Sequence, residues 1–154
     1  MLFIPNIYWG VKAKPEGYDE AAKKENKILL IFERAGEASV SCSLLIFPAL
    51  NPYIKLLPQR VLYDKKIIMC FAALVLMILY ECYWIKYFRS ERTLKDQYSS
   101  FAGFPVAGAT LPVLAVLLLG LYSMNFVVIV SGIILGIGHI GIHLRHYKEI
   151  IGKD

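Results

Sequence analysis

The chain has 154 residues, 57% of them hydrophobic, and its mean hydropathy of +0.53 is too apolar for an ordinary soluble domain of this length. The net charge of +5 would indicate nucleic acid only if the basic residues formed one patch. Instead Lys and Arg gather at the ends of apolar runs, as they do where they set membrane orientation and meet anionic lipid heads, so the expected partner is the lipid bilayer and no nucleic acid is expected.

In chain order, the apolar run 2–9 is too short to span, contains Pro5 and has no basic region before it, so it does not read as a cleavable signal peptide. Tyr8 and Trp9 suit the lipid headgroup level. Residues 12–27 are charged with mixed sign, and Asp19/Lys23 and Glu20/Lys24 have helical i,i+4 spacing, which predicts a solvated interfacial helix. Four candidate spans follow at 28–50, 67–85, 101–122 and 126–144, each near the ~20 residues that cross a ~30 Å hydrocarbon layer. The strongest signal is 97–144, which holds no Asp, Glu, Lys or Arg. Glu33, Arg34 and Glu37 interrupt the first span, which leaves open a shorter one beginning near Ala38. The polar break Tyr122-Ser123-Met124-Asn125 predicts a helical hairpin between the last two spans. Pro105 and Pro112 predict a bend in the third.

The expected fold is thus all-α, an integral membrane bundle of about four transmembrane helices. It divides into an interfacial N-terminal segment 1–27, the helical bundle 28–146 and a short cytoplasmic tail 147–154. Lys12, Lys14, Lys23, Lys24 and Lys27, the cluster Lys86, Arg89, Arg92 and Lys95, and Arg145, Lys148 and Lys153 near the C-terminus fall on one side. Lys55, Arg60, Lys65 and Lys66 fall on the other, and twelve against four predicts both termini cytoplasmic at the cell membrane. Tyr80, Tyr83, Trp84, Tyr87 and Phe88 then thicken the inner interface. Cys42, Cys70 and Cys82 lie within apolar runs and read as small buried hydrophobes rather than a disulfide framework.

The run Ile4-Pro5-Asn6-Ile7-Tyr8-Trp9-Gly10-Val11-Lys12, with Lys14-Pro15-Glu16-Gly17-Tyr18 and Phe32-Glu33-Arg34-Ala35-Gly36, resembles an uncharacterised family of small multi-pass membrane proteins from low-GC Gram-positive bacteria. The resemblance covers the first third of the chain. It implies a further apolar segment ending at the Ile-Pro-Asn motif, with 2–9 as the remnant of a truncated span. It implies no activity and assigns no functional residue.

Depth singles out the polar residues. At ~1.5 Å rise per residue, Glu33 and Glu37 lie ~8 and ~14 Å from the start of the first span, and Glu81 and His139 lie ~9 and ~10 Å from the ends of the second and fourth. If these spans alternate in direction, the four share one level, where ionisable groups normally face the bundle interior together. On the last span His139, His143 and His146 fall within roughly a 60° arc, and Gly132 and Gly136 lie on the same face, a small-residue pattern that admits close helix packing. Ile133, Ile137, Ile140 and Leu144 occupy a separate, lipid-facing sector.

The candidate ligand or proton cluster is therefore Glu33, Glu37, Glu81, His139 and His143. Plainer readings stand beside it. Arg34 pairs with Glu37 at i,i+3 in an interfacial group, Glu81 sits at the headgroups, and His143 and His146 are interfacial side chains. His139 and His143 at i,i+4 with a Glu form an alternative metal set, although the general-base motif is absent because Ile140, Gly141 and Ile142 intervene. No catalytic residue, metal or cofactor is expected. Transport or ligand binding through the cluster leads, with homo-oligomerisation to enclose a path. A non-catalytic accessory subunit docked on a larger membrane partner and a membrane-embedded metalloenzyme are the alternatives.

Overall fold

The computed structural model describes residues 3–46 and 67–151, and among them every regular element is helical. In order these are α1 Phe3–Lys12, α2 Tyr18–Ala22, α3 Lys27–Ile46, α4 Ile67–Arg89, α5 Leu94–Gln97, α6 Ala107–Tyr122 and α7 Phe126–Ile151. The connection carrying Lys55, Arg60, Lys65 and Lys66 lies outside the described residues, as do the last four positions of the expected first span.

The long helices form a row in which α3 packs on α7, α7 on α6 and α6 on α4. Asn26 starts α3 by accepting hydrogen bonds from the backbone N–H groups of Ile28 and Leu29, at 2.9 and 3.3 Å. The helix then runs unbroken through Glu33, Arg34 and Glu37, so no separate helix begins at Ala38. Its buried stripe is Glu33, Gly36, Val40 and Ser43, a three-four spacing that presents one face to α7. The backbones approach so closely there that a Cβ on Gly36 would strike the Leu135 backbone and one on Gly138 would strike the backbone of Glu33. Gly132 and Gly136 look instead toward Leu117, Val116 and Val113 of α6.

The expected hairpin joins α6 to α7. Asn125 caps α7 through Val127 and Val128, while the Ser123 hydroxyl donates to the Leu119 carbonyl at the end of α6. The helix found in the third expected span is shorter than that span, because 101–104 form a tight turn before it starts. Phe101 and Phe104 exchange backbone hydrogen bonds at 3.0 and 2.9 Å, and Ala102 and Gly103 both take positive φ. Pro105 therefore precedes α6 instead of bending it, and Pro112 alone lies within it.

Two helices, α4 and α7, are long and apolar enough to cross a membrane. Only 22% and 33% of their most apolar windows are buried, whereas a core helix of a soluble fold would be mostly covered. Ile68, Phe71, Leu74 and Val75 of α4 and Ile133 and Ile137 of α7 point outward. Cys42 and Cys82 are also exposed, correcting their assignment as buried hydrophobes.

The aromatic residues ending α4 are core rather than an interfacial belt. Tyr80, Tyr83, Trp84 and Tyr87 are all buried, because α1 and the turn at α5 cover them. Their hydroxyls hold the covering segments in place: Tyr80 donates to Asn6 Oδ1 at 3.1 Å, Tyr83 to the Gln97 carbonyl at 2.5 Å and Tyr87 to the Ala13 carbonyl at 2.7 Å. Trp9 likewise packs inward, edge-on to Tyr18 at 4.7 Å. The interfacial helix expected over 12–27 contracts to α2, and Asp19 pairs with Lys14 at 3.3 Å.

The α3–α7 contact yields a stability prediction. Gly138→Ala sets a methyl group against rigid backbone and should destabilise the protein in detergent by about 2 kcal/mol, within the range for overpacking. Gly10→Ala, with open space around it, is the control. Equal melting temperatures for the two variants would contradict the close crossing.

Candidate functional site

The row of helices curves around a cavity of about 370 Å³. From α3 come Glu33, Arg34 and Glu37, from α7 Leu135, His139, Ile142 and His143, and from α6 Gly108 and Pro112. Tyr80 and Trp84 of α4 stand across from them. Asn6 and Trp9 of α1, Tyr18 and Ala22 of α2, with Glu25, Gln97 and Tyr98, complete the lining.

Its polar centre is the pair Glu33 and His139, with Oε1 and Nδ1 2.5 Å apart and only 11% and 21% of the side chains exposed. The pair exists because Gly138 lets the α3 backbone reach α7 one residue before His139. Glu37, one turn further along α3, brings a second carboxylate, and ligand atoms of Glu33, Glu37 and His139 all lie within 4.8 Å of one another. Glu37 Oε2 accepts from Arg34 Nη1 at 3.0 Å, the expected i,i+3 pair, so Arg34 balances one carboxylate and leaves Glu33 to His139.

The histidine stripe continues along α7. The rings of His139 and His143 are 4.6 Å apart, and Tyr98 stands edge-on to His143 at 5.1 Å and stacks on His146 at 5.0 Å. His146 is buried, not interfacial, because Glu25 meets its Nε2 at 3.2 Å. His143 Nδ1 is buried and meets no hydrogen-bond partner among the described residues.

Tyr98 and Gln97 reach the cavity through α5, a single turn fixed by a capping box in which Thr93 and Asp96 bond each other's backbone N–H groups. Burial alone would raise the Asp96 carboxyl, but its hydrogen bonds from Thr93 outweigh that and hold it below the usual value. A depressed carboxyl stabilises the fold above its unfolded pKa and loses that contribution as pH falls through its folded pKa. Burial, then the nearby Glu25 and Glu33, push the Tyr18 hydroxyl up to about 12, and burial first of all raises Tyr98 as well. Both phenols therefore stay neutral donors at physiological pH.

Of the residues expected from sequence, Glu33, Glu37, His139 and His143 come together on the cavity, while Glu81 is not among those lining it. Glu81 Oε1 is buried without a hydrogen-bond partner among the described residues. Of the alternative metal set, His139 converges with Glu33 and Glu37, and His143 is not part of that group. Sequence reasoning did not bring Tyr18, Glu25, Gln97 or Tyr98 to the site, and it assigned Trp9 to the headgroup level instead. Only the Thr93-Leu94-Lys95-Asp96 capping pattern, just before Gln97, could have flagged any of them. No family model, curated protein or solved structure matches this chain.

The geometry predicts which carboxylate is coupled to His139. In a double-mutant cycle on thermal stability, Glu33→Gln and His139→Leu should show a coupling of about 1–2 kcal/mol, since each change strands a partly buried partner. Glu81→Gln and His139→Leu should add. A larger coupling in the second cycle than in the first would contradict the pairing.

Proposed function

We propose that this chain is a multi-pass membrane protein that binds, and moves, a small ligand through the protonatable pair Glu33–His139, with α3, α4, α6 and α7 as its four spans and both termini cytoplasmic. One observation carries the reading: a carboxylate and an imidazole 2.5 Å apart line a cavity of about 370 Å³ inside helices whose outer faces are apolar. Ionisable groups at membrane depth are costly and are retained where a substrate or proton path uses them. Here one proton can pass on or off the pair as ligand enters or leaves, and Glu37 can hold a positive centre beside it. Four spans enclose little of a path by themselves, so a homo-oligomer is the expected working form.

A second reading is a divalent cation held by Glu33, Glu37 and His139, favoured by their convergence within 4.8 Å. Carboxylate oxygens and an imidazole suit such an ion, and further positions would remain open.

The test is a thermal-shift screen of the full chain in detergent against amines, amino acids, divalent cations and organic anions. A true ligand at a hundred times its Kd should raise the melting temperature by about 5 °C, and Glu33→Gln should abolish the rise. In proteoliposomes loaded with a pH-sensitive dye, that ligand should then change the internal pH. A screen in which nothing stabilises the wild type, or a rise that survives Glu33→Gln, would refute ligand binding at this pair. Topology has its own check: cysteine-reactive labelling of tags should find both ends on the cytoplasmic side and Arg60 outside.

A further inference from the structure

Resting on that reading, we infer that the cavity takes a small organic ammonium that also carries a hydrogen-bond acceptor, such as an amino alcohol, either free or as the headgroup of a lipid. Positive charge is selected first. With the imidazoles neutral, Glu25, Glu33 and Glu37 line the cavity against Arg34, so the lining carries an excess of carboxylate, although Glu37 meets Arg34, Glu33 meets His139 and Glu25 meets His146. Pro112 offers no N–H to the Gly108 carbonyl one turn back, and both residues line the same space.

The remaining walls are aromatic. Trp9, Tyr18, Tyr80, Trp84 and Tyr98 surround a volume far larger than one metal ion needs, and ring faces attract ammonium groups through their quadrupoles. Beside the cavity the chain already uses this chemistry: Lys14 Nζ, not itself part of the lining, stands 5.9 and 5.7 Å from the ring centres of Trp9 and Tyr18.

The acceptor requirement comes from buried polar atoms on the lining. Trp84 is 4% exposed and Gln97 6%, yet Trp84 Nε1 and Gln97 Oε1 meet no hydrogen-bond partner among the described residues, and Trp9 Nε1 is in the same condition. The indole nitrogens lie near the hydroxyls of Tyr80 and Tyr87 without reaching hydrogen-bond geometry. An indole N–H is a donor only and cannot ligate a metal, so the tryptophans call for an oxygen on the ligand, while Gln97 Oε1 calls for a donor. An ammonium over the rings and carboxylates, with a ligand oxygen accepting from Trp84 Nε1 and a ligand O–H or N–H donating to Gln97 Oε1, satisfies both ends.

Trp9 and Trp84 are the chain's two tryptophans, and both line the cavity, so intrinsic fluorescence reads the site directly. The full chain in nanodiscs of phosphatidylglycerol should give a saturable fluorescence change with choline or ethanolamine, and tetramethylammonium, which lacks the oxygen, should bind about tenfold more weakly. Glu33→Gln should raise the choline Kd at least about tenfold. Glu37→Gln, which keeps the Glu33–His139 pair, should raise it as well and guards against a folding defect in the first variant. A response to phosphatidylethanolamine in the nanodisc, with none to the free amines, identifies the lipid headgroup as the source; the reverse identifies the free amine. Saturation by Zn²⁺, an organic anion or a neutral solute, with no response to either form of ammonium, overturns this ligand class while leaving ligand binding intact. No saturable response to any of them overturns both.

Discussion

The structure depends on the backbone contact between α3 and α7. Gly36 and Gly138 remove the side chains that would hold the two helices apart, and the buried stripe of α3 then settles on α7. Glu33 is part of that stripe, so the packing that brings the helices together also carries a carboxylate into the interior. It is tolerable there because His139, next to Gly138, meets it. A neutral substitute on either side would leave the other polar group short of a partner in a low-dielectric setting. Close packing and polar pairing therefore stabilise each other at a single crossing, which is why the candidate site and the tightest contact coincide.

A second constraint closes the other side of the cavity. The aromatic end of α4 is buried by α1 and the α5 turn, and three tyrosine hydroxyls bond to backbone or side-chain oxygens in or beside those segments. Such bonds satisfy the phenols and position the short elements that have little core of their own. Through them Asn6, Trp9, Gln97 and Tyr98 arrive at the cavity opposite Glu33 and His139. The same helices turn isoleucine, leucine, valine and phenylalanine outward. The outer faces of α4 and α7 are thus apolar, while a few polar groups, Glu33, Gln97 and His146 among them, are buried beside hydrophobic core clusters.

The three histidines illustrate how one helical face acquires different chemistry at each turn. His139 faces a carboxylate from α3, His143 has a buried nitrogen with no partner among the described residues, and His146 is held by Glu25 and stacked on Tyr98. They share a stripe by spacing alone, but the neighbouring element at each level decides what each can do. Arg34 shows the same principle from the other direction, since its pairing with Glu37 leaves Glu33 as the carboxylate that His139 meets.

By itself the sequence determined the local and periodic features. Long uncharged runs predict helices, Asn125 and its neighbours predict the hairpin, and depth along the chain brings Glu33, Glu37 and His139 to one level, because rise per residue and apolar length depend only on nearby residues. The i,i+3 pair of Arg34 and Glu37 is legible for the same reason. Tertiary structure alone decided the rest. Spacing placed Gly132 and Gly136 on the histidine face but could not tell which helix lay opposite. They face α6, while Gly138 meets α3. Tyr80, Tyr83, Trp84 and Tyr87 look like an interfacial belt until α1 covers them, and Glu81 matches the cluster in depth while its side chain is not on the cavity. Depth is one coordinate, and rotation about the helix axis together with the identity of the packed neighbour supplies the others. Trp9, Tyr18, Gln97 and Tyr98 come from short segments with no periodicity to read, and only contacts distant in sequence bring them to the site.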